Sequence, residues 1–197
     1  DYHARAAIAA TVDVILSRSI TGNSIGAKLT IPQGTLFTDS SGNSWLSARD
    51  VTWYSNVTTC KVPIIQHEKY TASALNNMLI PTGDRVIVHL GTLPNGKYYE
   101  QGSMSLQIGG ETWVLVDTFA KSKPTDKHFM VSVDEALNPY IMFGDGTFGK
   151  KPAAGAKITN VVFYLTNGTQ GNVKSNTITS VPSIISSSIT DATVSNA

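Results

Sequence analysis

The stretch FGDGTFGKKPAAGAKI, residues 143–158, contains four glycines and lies between two segments rich in β-branched and aromatic residues. Gly144, Gly146 and Gly149 have the spacing of a dinucleotide-binding motif, and Lys150 nearly completes a P-loop or a kinase glycine loop. Asp145-Gly146 is equally a strong tight-turn dipeptide. The role of these glycines therefore decides between a nucleotide-binding fold and a β fold.

The context of the stretch argues against a nucleotide site. A dinucleotide motif needs a helix that opens at the glycines, which Pro152 and Gly155 would interrupt, and an acidic residue about 20 positions later, where 161–169 has none. A P-loop needs Ser or Thr directly after its lysine, but Lys151 occupies that position after Lys150, and Pro152 follows it. Only 48 residues follow Gly149, too few for a kinase domain. We interpret the stretch as a structural loop between strands, with no bound cofactor, shaped by Gly144, Asp145, Gly146, Gly149, Pro152 and Gly155.

The rest of the chain favours a mainly β fold of antiparallel sheets and hairpins. Short alternating or β-branched runs are separated by Gly, Pro, Asn or Asp, as at 84–91, 103–119 and 128–146. Gly109-Gly110 predicts a two-residue hairpin turn, and 134–139 predicts another turn. Residues 4–18, ARAAIAATVDVILSR, have apolar residues at helical spacing and predict an N-terminal α-helix.

Three segments are expected along the chain. Residues 1–22 form the helical segment, and 23–175 form a β-rich domain that could divide into two subdomains near 95–103. Residues 176–197 are rich in Ser and Thr and predict an extended arm or a linker. The chain starts at Asp1 within the helical pattern, so we expect it to be a processed chain or a central fragment of a longer protein.

Composition and charge exclude several classes of function. Fifteen basic against fourteen acidic residues leave a net charge of +1, without the basic excess typical of nucleic-acid binding. No apolar run reaches the length of a membrane span. Cys60 is the single cysteine and lies in an alternating run, which predicts a small buried side chain. Charged residues make up only 15%, which is typical of a surface largely covered by other proteins.

The sequence gives only weak signals for a catalytic or ligand-binding site. The four histidines, including His67 and His128, have no paired metal spacing, and no nucleophile-elbow motif occurs. We therefore expect neither a metal site nor an enzyme, although His128 near Asp126 leaves a cluster open. An alternative function is a carbohydrate- or receptor-binding β module of a tail fibre or adhesin. Its stacking platform would come from Trp45, Trp53, Tyr98 and Tyr99.

The order of segments resembles a known family over about residues 28–175. The three segments that carry the resemblance are IPQGTLFTDSSGNSWLSARDV (31–51), SMSLQIGGETWVLVDTFAKSKPTDKHFMVSVDE (103–135) and IMFGDGTFGKKPAAGAKITNVVFYLTNGTQGNV (141–173). They are similar to phage baseplate J-like proteins and to the wedge subunits of contractile tails, including those of T4-like phages. The last segment is the most specific, because its F-G-D-G turn, G-x-x-P-x-x-G spacing and T-x-G-x-x-G-N-V closure agree together.

The resemblance implies a non-enzymatic structural protein of the virion. Such a subunit would assemble in the host cytoplasm with other wedge proteins and copies of itself into the baseplate ring around the tail hub. It implies no membrane, nucleic-acid or small-molecule partner. The predicted interface residues are Trp45, Trp53, Tyr164 and Asn172. Family members are usually longer than this chain, and 61–96 matches them only loosely.

Overall fold

The computed structural model describes residues 7–20, 28–72, 77–168 and 174–196. These residues form two compact units. The terminal unit comprises the described parts of Ala9–Glu68 and Asn167–Ala197, and the central unit comprises those of Asp1–Ile8 and Lys69–Thr166. The break near 95–103 that the sequence suggested lies inside the central unit. The prediction of a mainly β fold is confirmed.

The terminal unit contains a five-stranded and a two-stranded antiparallel sheet. The larger sheet has the order β15-β1-β6-β4-β3, and β2 pairs with β5. Its strands are β1 (Thr11–Ser17), β2 (Leu29–Ile31), β3 (Leu36–Thr38), β4 (Ser44–Ser47), β5 (Val51–Trp53), β6 (Thr59–Ile65) and β15 (Thr193–Asn196). A single turn of helix, α1 (Ser183–Ser186), precedes β15.

The predicted N-terminal helix is wrong where the structure describes it. Thr11–Ser17 is a strand that pairs with β6 on one side and β15 on the other. Alternate residues Val14 and Leu16 are fully buried, which is the period of a strand. The β-branched run from Thr11 to Ile15 favours this conformation, and pairing on both sides outweighs the helix propensity of the preceding alanines. Residues 1–6 and 21–22 of the expected helical segment lie outside the described residues.

Residues 176–197, for which the sequence predicts an extended arm or a linker, carry α1 and β15 and contribute to the core of their own chain. Their scattered apolar residues are buried against the terminal unit, and they are Ile178, Ile185, Ile189 and Val194. The Asn196 side chain accepts the backbone N–H groups of Thr177 and Ile178 at 2.9 Å each. Asn196 is buried, and these two hydrogen bonds hold the end of β15 against the start of this segment.

The terminal core is built around two tryptophans and one buried carboxylate. Trp45 and Trp53 are 0% and 1% exposed. The Trp45 indole N–H donates to Asp39 at 3.1 Å, and the Trp53 indole N–H donates to the Val57 carbonyl at 2.9 Å. Burial opposes the charge on Asp39, but hydrogen bonds from Asn43, Trp45 and Ser41 hold its pKa below the ordinary value. The carboxylate therefore serves as an acceptor that fixes the β3–β4 hairpin.

The central unit contains one eight-stranded sheet. The main path has the order β7-β14-β10-β11-β12-β13-β8, and β9 pairs with the end of β14. Its strands are β7 (Glu68–Thr71), β8 (Ile87–His89), β9 (Tyr98–Tyr99), β10 (Ser105–Ile108), β11 (Glu111–Leu115), β12 (His128–Val133), β13 (Pro139–Phe143) and β14 (Ile158–Thr166). Strands β11 and β12 run parallel to each other. Their connection, 116–127, is a long loop.

Both predicted hairpin turns of the central unit are confirmed. Gly109 and Gly110 have φ values of +59° and +81° and join β10 to β11, as a two-residue turn requires. Between β12 and β13, one Asp134 carboxylate oxygen accepts the backbone N–H groups of Ala136 and Asn138. Asp134 thus caps the turn that the sequence predicts at 134–139.

The central core is rich in aromatic side chains. Tyr99 meets Phe163 edge-on at 5.6 Å between ring centroids, and Trp113 meets Phe143 edge-on at 5.4 Å. Both arrangements are favourable for aromatic pairs and add to the free energy gained by burial. This core fixes the strands that carry the 143–158 stretch.

Alkaline pH is expected to destabilise the central unit through Tyr99. Burial raises the pKa of its phenol to about 12, from an ordinary value of about 10. The folded state holds this proton more tightly than the unfolded state, so its contribution is complete below about pH 10 and is lost as pH rises towards about 12. Two pH units correspond to about 2 to 3 kcal/mol in the free energy of unfolding.

Urea unfolding at about pH 9 and about pH 11 measures this loss. Tyr99→Phe is the matched control, since it keeps the ring and removes the titrating group. The difference in unfolding free energy between the wild type and this variant should change with pH in that window. Parallel pH curves for the two proteins would contradict the assignment to Tyr99.

Candidate functional site

The 144–149 turn is closed by its own backbone and by one carboxylate. Asp145 Oδ1 accepts the backbone N–H groups of Thr147 at 2.7 Å and Phe148 at 2.9 Å, and the Gly146 N–H donates to the Gly149 carbonyl at 3.0 Å. Those N–H groups are the kind that a phosphate-binding loop would direct at its ligand. Here they are already occupied, and the Asp145 carboxylate stands where an anion would bind.

Asp145 is an exposed, charged cap of this turn. The backbone N–H groups of Phe148 and Thr147 hold the pKa of its carboxyl below the ordinary value, and the charge of Arg85 lowers it further. The carboxylate is therefore ionised at neutral pH. Its charge repels phosphate, which argues against a nucleotide at this turn.

Gly144 and Gly149 have different structural reasons to be glycine. A Cβ on Gly144 would lie 2.4 Å from the carbonyl carbon and oxygen of Gly149, so two backbone segments approach too closely for any side chain. Gly149 has a φ of +80°, a conformation that favours glycine, and a Cβ there would lie 3.2 Å from the Phe119 ring. Both residues are buried. The glycine pair locks the loop rather than opening space for a ligand.

The second half of the stretch leads directly into β14. Pro152 is buried, and Gly155 has a φ of +76° with its N–H donating to the Ile80 carbonyl at 2.9 Å. The stretch from Gly144 to Lys157 contains no helix, so it lacks the helix N-terminus that dinucleotide and P-loop sites use. The stretch connects β13 with β14, as the structural interpretation expects.

A cavity of about 590 Å³ adjoins this turn inside the central unit. Phe143, Gly144, Asp145 and Phe148 form one side of it. The remaining lining comes from β8, β12, β13 and the 116–127 loop, and it includes Arg85, Ile87, Phe119, Met130 and Met142. The lining is mainly apolar, with one acidic and one basic side chain, which suits an apolar group better than a nucleotide.

Sequence reasoning identified the turn but missed the cavity beside it. Met130 and Met142 looked like ordinary strand residues, because a period-2 pattern does not show which strands become neighbours. Their alternation with the buried Phe129 and Ile141 was the available signal, since it places them on the opposite face of the sheet.

The aromatic residues expected at an interface or a sugar platform are mostly internal. Trp45, Trp53 and Tyr99 are each at most 2% exposed, so they cannot stack on a ligand or a partner in this fold. This corrects their assignment as candidate surface contacts: their size places them in the two cores. Tyr164 is half-buried, and Asn172 lies outside the described residues.

One pair of potential catalytic side chains does come together. Ser122 Oγ lies 2.8 Å from His128 Nδ1, and Ser122 is almost completely buried. Asp126 contributes its backbone carbonyl to the His128 N–H, while its carboxylate accepts the Lys123 N–H. In the described part of the chain no carboxylate orients the His128 ring, so the pair lacks the third member of a triad. We interpret it as a hydrogen bond that holds the 116–127 loop on β12.

Comparison with protein families and with curated proteins gives no relative from which a role could be transferred. No protein-family model matches the chain, and no curated protein matches it. Within the ranges that the structure covers, no three His, Cys, Asp or Glu side chains gather as a metal site. No helix in those ranges is both long and apolar enough to cross a membrane.

Proposed function

We propose that this chain is a structural, non-enzymatic assembly subunit. More narrowly, we propose a wedge subunit of a contractile-tail baseplate, which joins other wedge proteins and copies of itself around the tail hub in the virion. The proposal rests on the resemblance of 141–173 to baseplate proteins. Support comes from the structure of this segment, where Gly144, Asp145 and Gly149 shape a turn that occupies N–H groups of its own.

The observation that carries the proposal is that the 144–149 turn satisfies backbone N–H groups with acceptors of its own. Its N–H donors are bound to Asp145 and Gly149, and Gly144 is pressed against the Gly149 backbone. A sequence pattern whose residues are used for shape favours a scaffold over a ligand site. The low charge of the chain favours burial against neighbouring proteins, because charged residues are depleted at the cores of interfaces.

Native mass measurement tests the proposed role. The full-length product of the gene that encodes this chain would be expressed alone and together with the products of adjacent genes. We expect complexes that contain more than one chain. A protein that stays monomeric in every combination would count against an assembly subunit. A glycan array with the same protein is expected to show no binding, and specific hits would favour the alternative receptor-binding module.

A further inference from the structure

The sequence contains two Asn-Gly dipeptides, Asn95-Gly96 and Asn167-Gly168. An asparagine that precedes glycine readily loses its side-chain amide, because glycine has no side chain to hinder attack by its own backbone nitrogen. Glycine also leaves the backbone free to adopt the geometry that the attack needs. The two dipeptides are equivalent in this respect, so a difference in their reactivity has to come from the fold.

Asn95-Gly96 lies at the tip of an exposed turn that leads into β9. The Lys97 N–H donates to the Pro94 carbonyl at 3.0 Å, and of the two central residues only Gly96 has a positive φ, +72°, as in a type II turn. Asn95 and Gly96 are both exposed. Among the described residues, neither of them has a hydrogen-bond partner. The peptide unit that joins them can therefore rotate without breaking a hydrogen bond.

Asn167, in contrast, is held by its neighbours in the terminal unit. Its Nδ2 donates to Asn43 Oδ1 at 2.6 Å, and its backbone N–H donates to Gln66 Oε1 at 3.1 Å. The residue is half-buried, and its Oδ1 is fully buried. The Asn167 amide has to leave these contacts before it can react.

We propose that Asn95 is a site of spontaneous deamidation. A base takes the Gly96 N–H proton, and the Gly96 nitrogen attacks Asn95 Cγ and forms a new C–N bond. The bond from Cγ to Nδ2 breaks, and the side-chain nitrogen takes up a proton and leaves as ammonia. Water then opens the cyclic imide at either of its carbonyl carbons. The product at position 95 is aspartate or isoaspartate, and the reaction consumes one water and releases one ammonia.

The exposed turn favours each of these steps. Rotation about the Cα–C bond of Asn95 brings the Gly96 nitrogen towards Cγ, and glycine accepts the change in φ that this rotation causes. Solvent reaches the Gly96 N–H proton, the leaving amide and the imide. A peptide unit in a sheet would first have to break its ladder bonds to do the same.

Deamidation changes the connection into β9. In the isoaspartate product the main chain runs through the former side chain, which adds one methylene immediately before the strand. Tyr98 of that strand pairs with Thr166 of β14. Either product also adds a negative charge beside Lys97. Deamidation at this turn is independent of the proposed assembly role.

Ageing of the purified chain in a mildly alkaline buffer tests the site. Peptide mapping by mass spectrometry measures conversion at each asparagine, and a methyltransferase specific for isoaspartate labels that product. Asn95 should convert at least about tenfold faster than Asn167 in the folded chain, because Asn167 has to break its hydrogen bonds first. In guanidinium chloride the two should convert at similar rates, since the unfolded chain no longer protects Asn167.

Gly96→Ala tests the attacking nitrogen. Conversion of Asn95 should fall about tenfold, because alanine hinders the attack and restricts the backbone rotation. Gly91→Ala is the matched control, since Gly91 has a φ of +81° with nothing within 4 Å of an added Cβ and does not follow an asparagine. That variant should convert Asn95 within about twofold of the wild-type rate, because it adds only the cost of a left-handed alanine.

Asn95→Gln keeps an amide at the same exposed position but would need a larger ring to react. The acidic species that forms fastest in the wild type should be absent from this variant. If Gly96→Ala does not fold, Asn95→Gln, which changes an exposed side chain, still decides.

Three outcomes would overturn the assignment. The first is an Asn95 that converts no faster than Asn167 in the folded chain. The second is a difference between them that persists in guanidinium chloride, since flanking residues rather than the fold would then cause it. The third is an Asn95→Gln chain that forms acidic species as fast as the wild type does.

Discussion

Gly144→Ala is expected to destabilise the central unit by about 3 kcal/mol. The added Cβ would lie 2.4 Å from the Gly149 carbonyl group and 2.5 Å from the Phe148 carbonyl oxygen. These are backbone atoms, so no side-chain rotation relieves the overlap, and the turn has to open. Opening separates Gly146 from the Gly149 carbonyl and disturbs the wall of the cavity. Denaturant unfolding followed by circular dichroism measures the change.

Gly96→Ala is the matched control for this substitution. Gly96 has a φ of +72°, and a Cβ added there would have nothing within 4 Å, so alanine costs only the left-handed backbone conformation. That cost is about 1 to 2 kcal/mol. Gly144→Ala should therefore be clearly the more damaging. If Gly144→Ala lowers the free energy of unfolding by no more than Gly96→Ala does, the close approach of the two backbone segments does not hold the loop.

Trp45→Ala is expected to destabilise the terminal unit by about 3 to 5 kcal/mol. The indole is 0% exposed and fills the core beside Phe37, its cross-strand neighbour. The substitution also removes the N–H that donates to the buried Asp39 carboxylate. An acceptor left without one of its donors adds to the cost of the cavity.

Tyr54→Ala is the control, because Tyr54 is a neighbouring large aromatic that is 59% exposed. Its loss should change the free energy of unfolding by less than about 1 kcal/mol. Thermal unfolding followed by circular dichroism compares the two variants. A folded, stable Trp45→Ala protein that has lost the binding of a partner or a glycan would reverse our assignment of Trp45 to the core.

The local features of the fold were predictable because they depend on a few adjacent residues. Gly109-Gly110 permits the positive φ values of a hairpin turn, and Asp134 can bond the N–H groups that follow it. The turn at Asp145-Gly146 was predictable for the same reason. In each case the residue type fixes the backbone without help from distant parts of the chain.

The errors came from contacts between residues far apart in sequence. Thr11–Ser17 follows an alanine-rich run, and its helical spacing was outweighed by pairing with β6 and with β15, about 180 residues away. Trp45 and Trp53 could have been surface or core residues from their sequence alone. The cavity depends on β8 lying next to β13, which no local pattern of either strand specifies.

Immunogold labelling tests the central claim most directly. Antibodies against this chain would be applied to purified particles produced by the genome that encodes it, and the label would be located by electron microscopy. A baseplate wedge subunit predicts gold at the distal end of a contractile tail, around the hub. Label on fibres alone, on the capsid, or only in the fraction without particles would contradict the proposed function.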